Sequence, residues 1–234
     1  MNITSIITAG GLGARFSGET KKQFYKLNGQ PILDLTISLF DKLNIIDNII
    51  ITLPADDFDI KSSYLTNLFS KKLTCIIGGK TRQDSVYNAL NSCKPDTDIV
   101  LIHDGVRPFI KETEIVDLIE LCKIHKAVIP GSKVKNTLKY VTNNQVIKTT
   151  DRENIIEVYT PQVFDYKLIL EYHQKATLTP NLSINFTDDA SILEFFNIPV
   201  YWHNSDNQNI KITTQADLEY AQYLLSIYYK EESN

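Results

Sequence analysis

The sequence lacks several features that define large classes of proteins. It has three cysteines in 234 residues, and their odd number and wide spacing fit neither a disulfide framework nor a zinc site. No apolar run approaches the roughly 18 residues that a membrane-spanning helix needs. The N-terminal MNITSIITAGG also has no basic stretch of the kind that opens a signal peptide. We therefore expect a soluble, cytoplasmic protein with reduced thiols that engages no membrane.

An excess of basic residues is lacking as well. The chain has 24 Lys and Arg against 28 Asp and Glu, a formal net charge of -4. Proteins that bind nucleic acid through bulk charge present a basic face, so we expect no nucleic-acid partner. A net charge does not describe a single pocket, however, and a few well-placed cations are enough to bind a small anion.

The composition and the pattern of the chain predict its fold class. Hydrophobic residues make up 43% of the sequence, as in globular proteins, and no linker, repeat or low-complexity tract divides it. Residues 1–234 are therefore predicted to form a single domain. Short β-branched runs alternate with amphipathic stretches, which indicates an α/β fold with a mostly parallel sheet and helices on both faces. The loops after the strands would lie along one edge, where such folds bind ligands.

The individual elements follow from this alternation. The predicted strands are Ile3–Thr8, Asn48–Leu53, Thr74–Ile77, Ile99–His103, Ala127–Pro130, Val158–Thr160 and Val200–His203. The predicted helices are Pro31–Leu43, Arg82–Ser92, Thr113–Lys123, Asp188–Phe196 and Thr214–Tyr228. In the first of these helices the apolar face carries Ile32, Leu35, Leu39 and Leu43.

One segment, residues 133–151, departs from this rhythm. It alternates apolar and polar side chains about Asn143 and Asn144, which predicts a β-hairpin too polar for the core. A protruding hairpin has two open edges unless another surface covers them. We interpret it as an arm that docks on a second subunit of a homodimer, and a solvated flap is the alternative.

The strongest local signal is the sequence AGGLGAR, from Ala9 to Arg15, directly after the first predicted strand. Glycines there let the backbone approach a ligand and direct its N–H groups towards phosphate oxygens. The third glycine of a dinucleotide fingerprint and the GxxxxGK(S/T) pattern are both missing, which disfavours an NAD-dependent dehydrogenase. Arg15 and Lys22 instead suit a triphosphate, because an Arg fork grips two oxygens and a Lys neutralises charge. A tight turn with solvated cations is the alternative.

Three further polar clusters follow predicted strands. Gly79 and Ser85, in GGKTRQDS, join a strand to a helix and suit the reading of a base edge or a ribose. In HDGVRP, Asp104 is placed to hold Mg²⁺ beside phosphates, and Arg107 to hold a second phosphate. Lys211, in NIKIT, is a single lysine in an apolar setting at the predicted end of a late strand.

Three other polar residues near these motifs are interpreted as structural. His103 ends a strand of apolar residues and is expected to be a core histidine. Thr187 and Asp188 precede a predicted helix in the manner of an N-cap.

The motifs occur in a recognisable order between residues 9 and 213: AGGLGAR with KKQ, GGKTRQDSV, HDGVRPF, TDR, TPQVF, FTDDAS and NIKIT. This series resembles the 2-C-methyl-D-erythritol 4-phosphate cytidylyltransferases of the non-mevalonate isoprenoid pathway over nearly the whole chain. The resemblance implies a Rossmann-like nucleotidyltransferase domain that dimerises through a β-arm. It also implies a Mg²⁺-dependent reaction in which the substrate phosphate attacks the α-phosphate of CTP and pyrophosphate leaves.

The resemblance further implies roles for particular residues. Arg15, Lys22 and Lys211 would be catalytic, and Arg152 and Thr160 would reach the site from the arm of a partner subunit. The CTP site would comprise Ala9, Gly10, Gly11, Gly13, Arg15, Lys22, Gly79, Ser85 and Asp104. The sugar-phosphate site would comprise Asp104, Arg107, Thr137, Arg152, Thr160 and Lys211.

Two positions depart from the family pattern, and two other functions stay open. Lys21 stands where the family usually has Pro, and Lys80 stands where some members have an acidic residue. A ribitol 5-phosphate cytidylyltransferase would use the same nucleotide machinery, although TDDAS and TDRENI favour the methylerythritol enzymes. A catalytically silent nucleotide-binding module on the same fold is the other alternative.

Overall fold

A computed structural model describes residues 1–11, 21–69, 72–179, 186–205 and 208–231. Gly13 and Arg15 lie outside these ranges. The strands are β1 (Ile3–Thr8), β2 (Lys26–Leu27), β3 (Gln30–Pro31), β4 (Asn48–Leu53), β5 (Leu73–Ile77), β6 (Ile99–Asp104), β7 (Ala127–Lys133), β8 (Leu138–Thr142), β9 (Gln145–Thr150), β10 (Ile156–Val158), β11 (Gln162–Asp165) and β12 (Tyr201–Asn204).

The helices alternate with these strands. They are α1 (Ile32–Lys42), α2 (Phe58–Leu68), α3 (Arg82–Asn91), α4 (Glu112–His125), α5 (Tyr166–Leu178), α6 (Ala190–Phe195) and α7 (Gln215–Glu231), with short 3-10 turns at Lys22–Phe24 and Ala55–Asp57. Among the described residues, no helix combines the length and the apolar character needed to cross a membrane.

Eight of the described strands form one large sheet, which confirms the predicted α/β class, while β2 with β3 and β8 with β9 form separate two-stranded sheets. The order of the large sheet is β10-β7-β11-β6-β1-β4-β5, and β12 pairs with β7. The four neighbours β6, β1, β4 and β5 are mutually parallel, whereas β11 and β10 run antiparallel to the strands they join. The chain moves outward from β1 to β4 and β5 and then returns to β6 on the other side. Such a reversal opens a crevice at the carboxyl ends of the strands.

Helices cover both faces of the sheet because its central strands are apolar on both sides. In β1, Ile3 and Ile7 pack in a cluster with α1 and α4, and Ile6 packs in a second cluster with α3, α5 and α6. Polar groups that must meet a ligand are therefore restricted to the strand ends. A third cluster joins α7 to β2 and to the loop after β6, with Ile212 fully buried in it.

The predicted hairpin is confirmed within residues 133–151. Its strands β8 and β9 pair antiparallel, and Asn143 and Asn144 both have positive φ, at 49° and 61°, as a two-residue type I′ turn requires. Its apolar side chains are exposed, with Tyr140 at 57% and Val146 at 63%. Lys133 belongs to β7 of the main sheet, so the arm begins after that strand.

Several elements differ from the sequence-based predictions. Helices α2 and α5 and strand β11 were not predicted, and Asn209–Thr213 is a loop before α7 rather than the end of a strand. In α2 the exposed Ile60 and Leu68 blur the amphipathic pattern. In α1 the buried face carries Ile32, Leu33, Ile37 and Phe40, while Leu35 and Leu39 are only partly buried.

From their different burial, we expect two apolar substitutions to change the free energy of unfolding by very different amounts. Phe40 is fully buried under the sheet, so Phe40→Ala should lower the free energy of unfolding by about 3–5 kcal/mol. Ile60 in α2 is 76% exposed, so Ile60→Ala should change it by less than about 0.5 kcal/mol. Urea denaturation of both variants measures the difference, and similar losses would contradict this packing.

Candidate active site

A cavity of about 640 Å³ opens at the carboxyl ends of β1, β4, β5 and β6. Its position matches the crevice expected from the reversal of strand order. The site residues predicted from sequence that line it are Ala9, Gly10, Gly11, Lys22, Gly79, Ser85, Asp104 and Lys211.

Gln23 fixes the backbone of the turn after β1, which borders this cavity. The buried Gln23 donates from Nε2 to the carbonyls of Ala9, at 2.7 Å, and Gly11, at 3.2 Å. The backbone N–H of Ala9 donates to the Thr52 carbonyl at 3.0 Å, which ties the turn to β4. Gln23 was not singled out from the sequence, although it ends the KKQ motif that carried the resemblance.

The loop between β5 and α3 forms the opposite wall. Thr81 and Asp84 form a reciprocal capping box at the start of α3. The Ser85 hydroxyl accepts from the Gly79 N–H and donates to the Thr81 carbonyl, both at 2.9 Å. A Cβ at Gly79 would lie 2.2 Å from Asp84 Cβ, so this loop requires glycine there. Ser85 thus shapes the wall, and its contact with a base or ribose stays a prediction.

Asp104, at the end of β6, lies among three cations. Its Oδ2 is 2.8 Å from Lys211 Nζ and 3.3 Å from Arg107 Nε, and its Oδ1 is 3.5 Å from Arg82 Nε. Burial alone would raise the pKa of this carboxyl, but the charges of Arg82, Lys211 and Arg107 outweigh it and hold the pKa far below its usual range. Asp104 is therefore an anion that orders the surrounding cations.

This pairing bears on the predicted metal role of Asp104. Both of its oxygens already face cations, so a directly bound Mg²⁺ would have to displace Lys211 or an arginine. In the described ranges, no group of three or more His, Cys, Asp or Glu side chains is arranged to hold a metal ion. A direct metal role for Asp104 stays a prediction, and in the described arrangement its two oxygens pair with cations.

Arg107 is largely turned into the protein. Its Nη1 donates to the Asn209 carbonyl at 2.8 Å, and its guanidinium lies 5.5 Å from the centre of the Tyr159 ring. Burial lowers its pKa, although the charge of Asp104 acts in the opposite direction. The described contacts of Arg107 fix Asp104 and Asn209, and its binding of a second phosphate stays a prediction.

Beneath Asp104, His103 and Thr160 form a buried pair. Asp104 N–H donates to Thr160 Oγ1 at 3.1 Å, and Thr160 Oγ1 lies 3.1 Å from His103 Nδ1. His103 Nε2 lies 3.0 Å from the Arg107 carbonyl, which can only accept. Nε2 therefore carries the proton, and Nδ1 accepts from Thr160. The structural interpretation of His103 is confirmed.

These contacts correct the prediction for Thr160. Its side chain is 6% exposed and supports Asp104 of its own chain. A residue in that place cannot reach a partner's site with the arm. Thr137 and Arg152, by contrast, are exposed beside the arm, and neither lines the Asp104 cavity within the described part of the chain. Arg152 donates to the Lys135 carbonyl and lines a second cavity of about 610 Å³ there.

The structure shows where the two residues that depart from the family pattern, Lys21 and Lys80, lie. Lys21 Nζ lies 2.6 Å from Asp57 Oδ2, so its charge joins the KKQ segment to the turn after β4. Lys80 is exposed and lines the cavity. Lys211, whose side chain is 39% exposed, is anchored by its neighbour Ile212, which donates to the Val106 carbonyl at 3.0 Å.

Sequence reasoning missed two charged residues. Arg82 Nη2 lies 2.7 Å from Asp189 Oδ2, and Asp189 is 1% exposed. Both residues stand inside motifs that were noticed, GGKTRQDSV and FTDDAS. In the latter, Asp188 Oδ1 accepts from the Ser191 N–H at 3.1 Å, so the predicted capping role of Asp188 is confirmed.

A glycine turn after the first strand of a mostly parallel sheet, with lysines lining the same cavity, defines an α/β protein of the class that binds phosphorylated ligands at the strand ends. Comparison with known proteins narrows this class. Residues 3–227 match the model of the 2-C-methyl-D-erythritol 4-phosphate cytidylyltransferase family. The chain belongs to this family.

Relatives and solved structures agree. The cytidylyltransferase of Clostridium perfringens (strain SM101) is 42% identical over 226 residues, 95% of this chain and 98% of its own. That of Clostridium botulinum (strain Eklund 17B) is 39% identical, over 96% and 99%. The structure of the Anaerococcus prevotii 4-diphosphocytidyl-2C-methyl-D-erythritol synthase has a TM-score of 0.84 and 31% identity, covering 96% of each chain. The Francisella tularensis enzyme has a TM-score of 0.81 and 35% identity, over 95% and 99%. These relatives do not favour the ribitol alternative.

The buried His103 predicts a pH-dependent stability. Burial lowers its pKa to about 4, from an ordinary 6.5, so between these values the unfolded chain binds a proton that the folded chain does not. The free energy of unfolding should therefore fall as the pH drops through this window, by about 3 kcal/mol in total. His103→Gln should lack this component, as measured by urea denaturation from pH 7.5 to 4.

The matched control for this experiment is His125→Gln, at an exposed histidine. It should keep the pH dependence of the unmodified protein. If His103→Gln keeps it as well, the titrating group is not His103.

Proposed function

We propose that this protein transfers the cytidylyl group of CTP to 2-C-methyl-D-erythritol 4-phosphate, which yields 4-diphosphocytidyl-2-C-methyl-D-erythritol and pyrophosphate. Family membership over residues 3–227 supports this activity. The observation that carries it within the site is the contact of Lys211 with Asp104 at 2.8 Å, which holds an ammonium in a cavity also lined by the glycine turn and Lys22.

The reaction needs charge stabilisation more than proton transfer. A phosphate monoester is already anionic at neutral pH, so its oxygen attacks the α-phosphorus of CTP in line without a general base. The bond from the α-phosphorus to the bridging oxygen breaks, and pyrophosphate leaves with the electron pair. Catalysis then rests on holding the two anions together and neutralising the charge that develops.

Each part of the cavity has a role in this proposal. The backbone of Ala9, Gly10 and Gly11 approaches the phosphates, and the loop of Gly79 and Ser85 accommodates the nucleoside. Lys22 and Lys211 neutralise the reacting phosphates from two sides. Arg15, outside the described residues, is proposed as a further cation on the triphosphate.

The magnesium ion is proposed to arrive with the nucleotide. Bound Mg²⁺ neutralises triphosphate oxygens. Because Asp104 is occupied by cations, we propose that the triphosphate supplies the metal's ligands, with no bond from Asp104.

A cytoplasmic homodimer is proposed for the assembly. Tyr140, Val141, Val146 and Ile147 expose apolar surface on the arm, which a second subunit would cover. Cys75, Cys93 and Cys122 are free thiols, as expected in a reducing compartment.

Removing either cavity lysine should abolish most turnover. Lys22→Ala and Lys211→Ala should each lower kcat by about 100-fold or more, because each removes charge stabilisation of about 3 kcal/mol. Pyrophosphate release from CTP and methylerythritol phosphate measures this, with ribitol 5-phosphate assayed in parallel. Lys94→Ala, at an exposed lysine that does not line the cavity, is the control. Near-normal pyrophosphate release by either cavity variant would contradict the proposal.

The arm proposal predicts a change of mass in solution. Val146→Asp places a charge on an exposed apolar residue of the arm and should shift the gel-filtration mass from dimer towards monomer. Ile60→Asp alters an exposed apolar residue on α2, at 76% exposure against 63% for Val146, and should leave the mass unchanged. An unaltered dimer for Val146→Asp, and for a variant lacking residues 138–150, would count against the arm.

A further inference from the structure

The carboxylate of Asp189 lies one layer behind the cavity. It is 1% exposed, and its Oδ2 is 2.7 Å from Arg82 Nη2. The Gln162 side chain holds the start of α6, since its Oε1 accepts from the backbone N–H groups of Asp189 and Ala190, both at 3.0 Å. Asp189 is therefore a fixed negative charge rather than a mobile surface group.

Arg82 connects this charge to the reacting centre. Its Nη2 contacts Asp189, while its Nε lies 3.5 Å from Asp104 Oδ1. The other oxygen of Asp104 holds Lys211 at 2.8 Å. Four charges thus alternate in sign from the second layer to the cavity: Asp189, Arg82, Asp104 and Lys211.

The nitrogen–oxygen distances of Arg82 indicate which of its two carboxylate partners it pairs with more strongly. Arg82 lies closer to Asp189 than to Asp104, so its stronger pairing is with the second-layer carboxylate. If Asp189 lost its charge, Asp104 would be the remaining carboxylate in contact with Arg82 among these described pairs. Arg82 would then compete with Lys211 for Asp104.

We propose that Asp189 is a positioning residue, which draws Arg82 away from Asp104 and so leaves Asp104 free to hold Lys211 in the cavity. Asp189 touches neither substrate, and it acts through Arg82 and Asp104. The activity readout of this inference rests on the proposed cytidylyl transfer, but its structural readout does not.

The neighbouring Asp188 supplies a matched control. It is a carboxylate in the same motif at the start of the same helix, and its oxygens accept from the Ser191 N–H and, at 2.6 Å, from Gln162 Nε2. It forms no ion pair with Arg82 in the described structure, and its charge acts on Arg82 less strongly than the charges of Asp189 and Asp104. A loss of helix capping or of local folding would affect both positions, whereas the proposed role belongs to Asp189.

The first experiment compares Asp189→Asn with Asp188→Asn in the full chain. Asp189→Asn should lower kcat on the order of 10-fold per folded molecule, with a smaller change in KM for CTP. Acylation of Lys211, followed by mass spectrometry without substrates, should become several-fold faster because the ammonium is held less firmly. Asp188→Asn should change kcat and the labelling rate much less than Asp189→Asn does, even where its melting temperature falls.

The second experiment tests whether the effect passes through Arg82. In an Arg82→Met background, Asp189→Asn should cause no further loss of kcat and no further rise in Lys211 labelling. A second loss as large as the first, or equal effects of the two aspartate variants, would overturn the inference. Unchanged Lys211 labelling in Asp189→Asn would overturn it as well. Failure of the proposed function would instead show as an absence of turnover in the unmodified protein.

Discussion

The site depends on one buried carboxylate, that of Asp104. Arg82, Arg107 and Lys211 surround it and keep it ionised against the cost of burial. They come from the start of α3, from the loop after β6 and from the loop before α7, so one anion fixes three segments that are distant in sequence. Without it, these three cations would repel one another in a small volume and would lack a compensating buried charge, which is strongly destabilising.

The place of this carboxylate follows from the packing of the sheet. The central strands are apolar on both faces because helices cover both, so a charged side chain is tolerated only where a strand ends. Asp104 ends β6 and lies across from the glycine turn that ends β1. The support beneath it is polar but neutral, since the low pKa of His103 keeps that ring uncharged and its hydrogen bonds orient Thr160 and the backbone of Asp104. Stability of the strand end and charge in the cavity are thus maintained by different groups.

Much of the fold and part of the site could be predicted from the sequence, and particular residues show why. The glycine turn, Asp104 and Lys211 stand out because each interrupts an apolar segment. Helix α1 was predicted with nearly correct ends, but only part of its predicted apolar face is buried: Ile32 and Leu43 are buried, whereas Leu35 and Leu39 are only partly buried. Leu35 packs beside the third cluster and Leu39 only partly against the sheet, so the helix contacts two surfaces rather than one. The amphipathic pattern assumes a single apolar stripe and fails in that case.

The sequence by itself determined the alternation of strands and helices, the hairpin about Asn143 and Asn144, and the residue types available at the strand ends. These properties depend on side-chain periodicity and local backbone preference, which neighbouring residues decide. Only the tertiary structure decided that Thr160 supports Asp104 of its own chain and that Arg82 is shared between Asp104 and Asp189. The reason is that the energy of a charge or hydrogen bond depends on distances between segments, and folding alone brings those segments together.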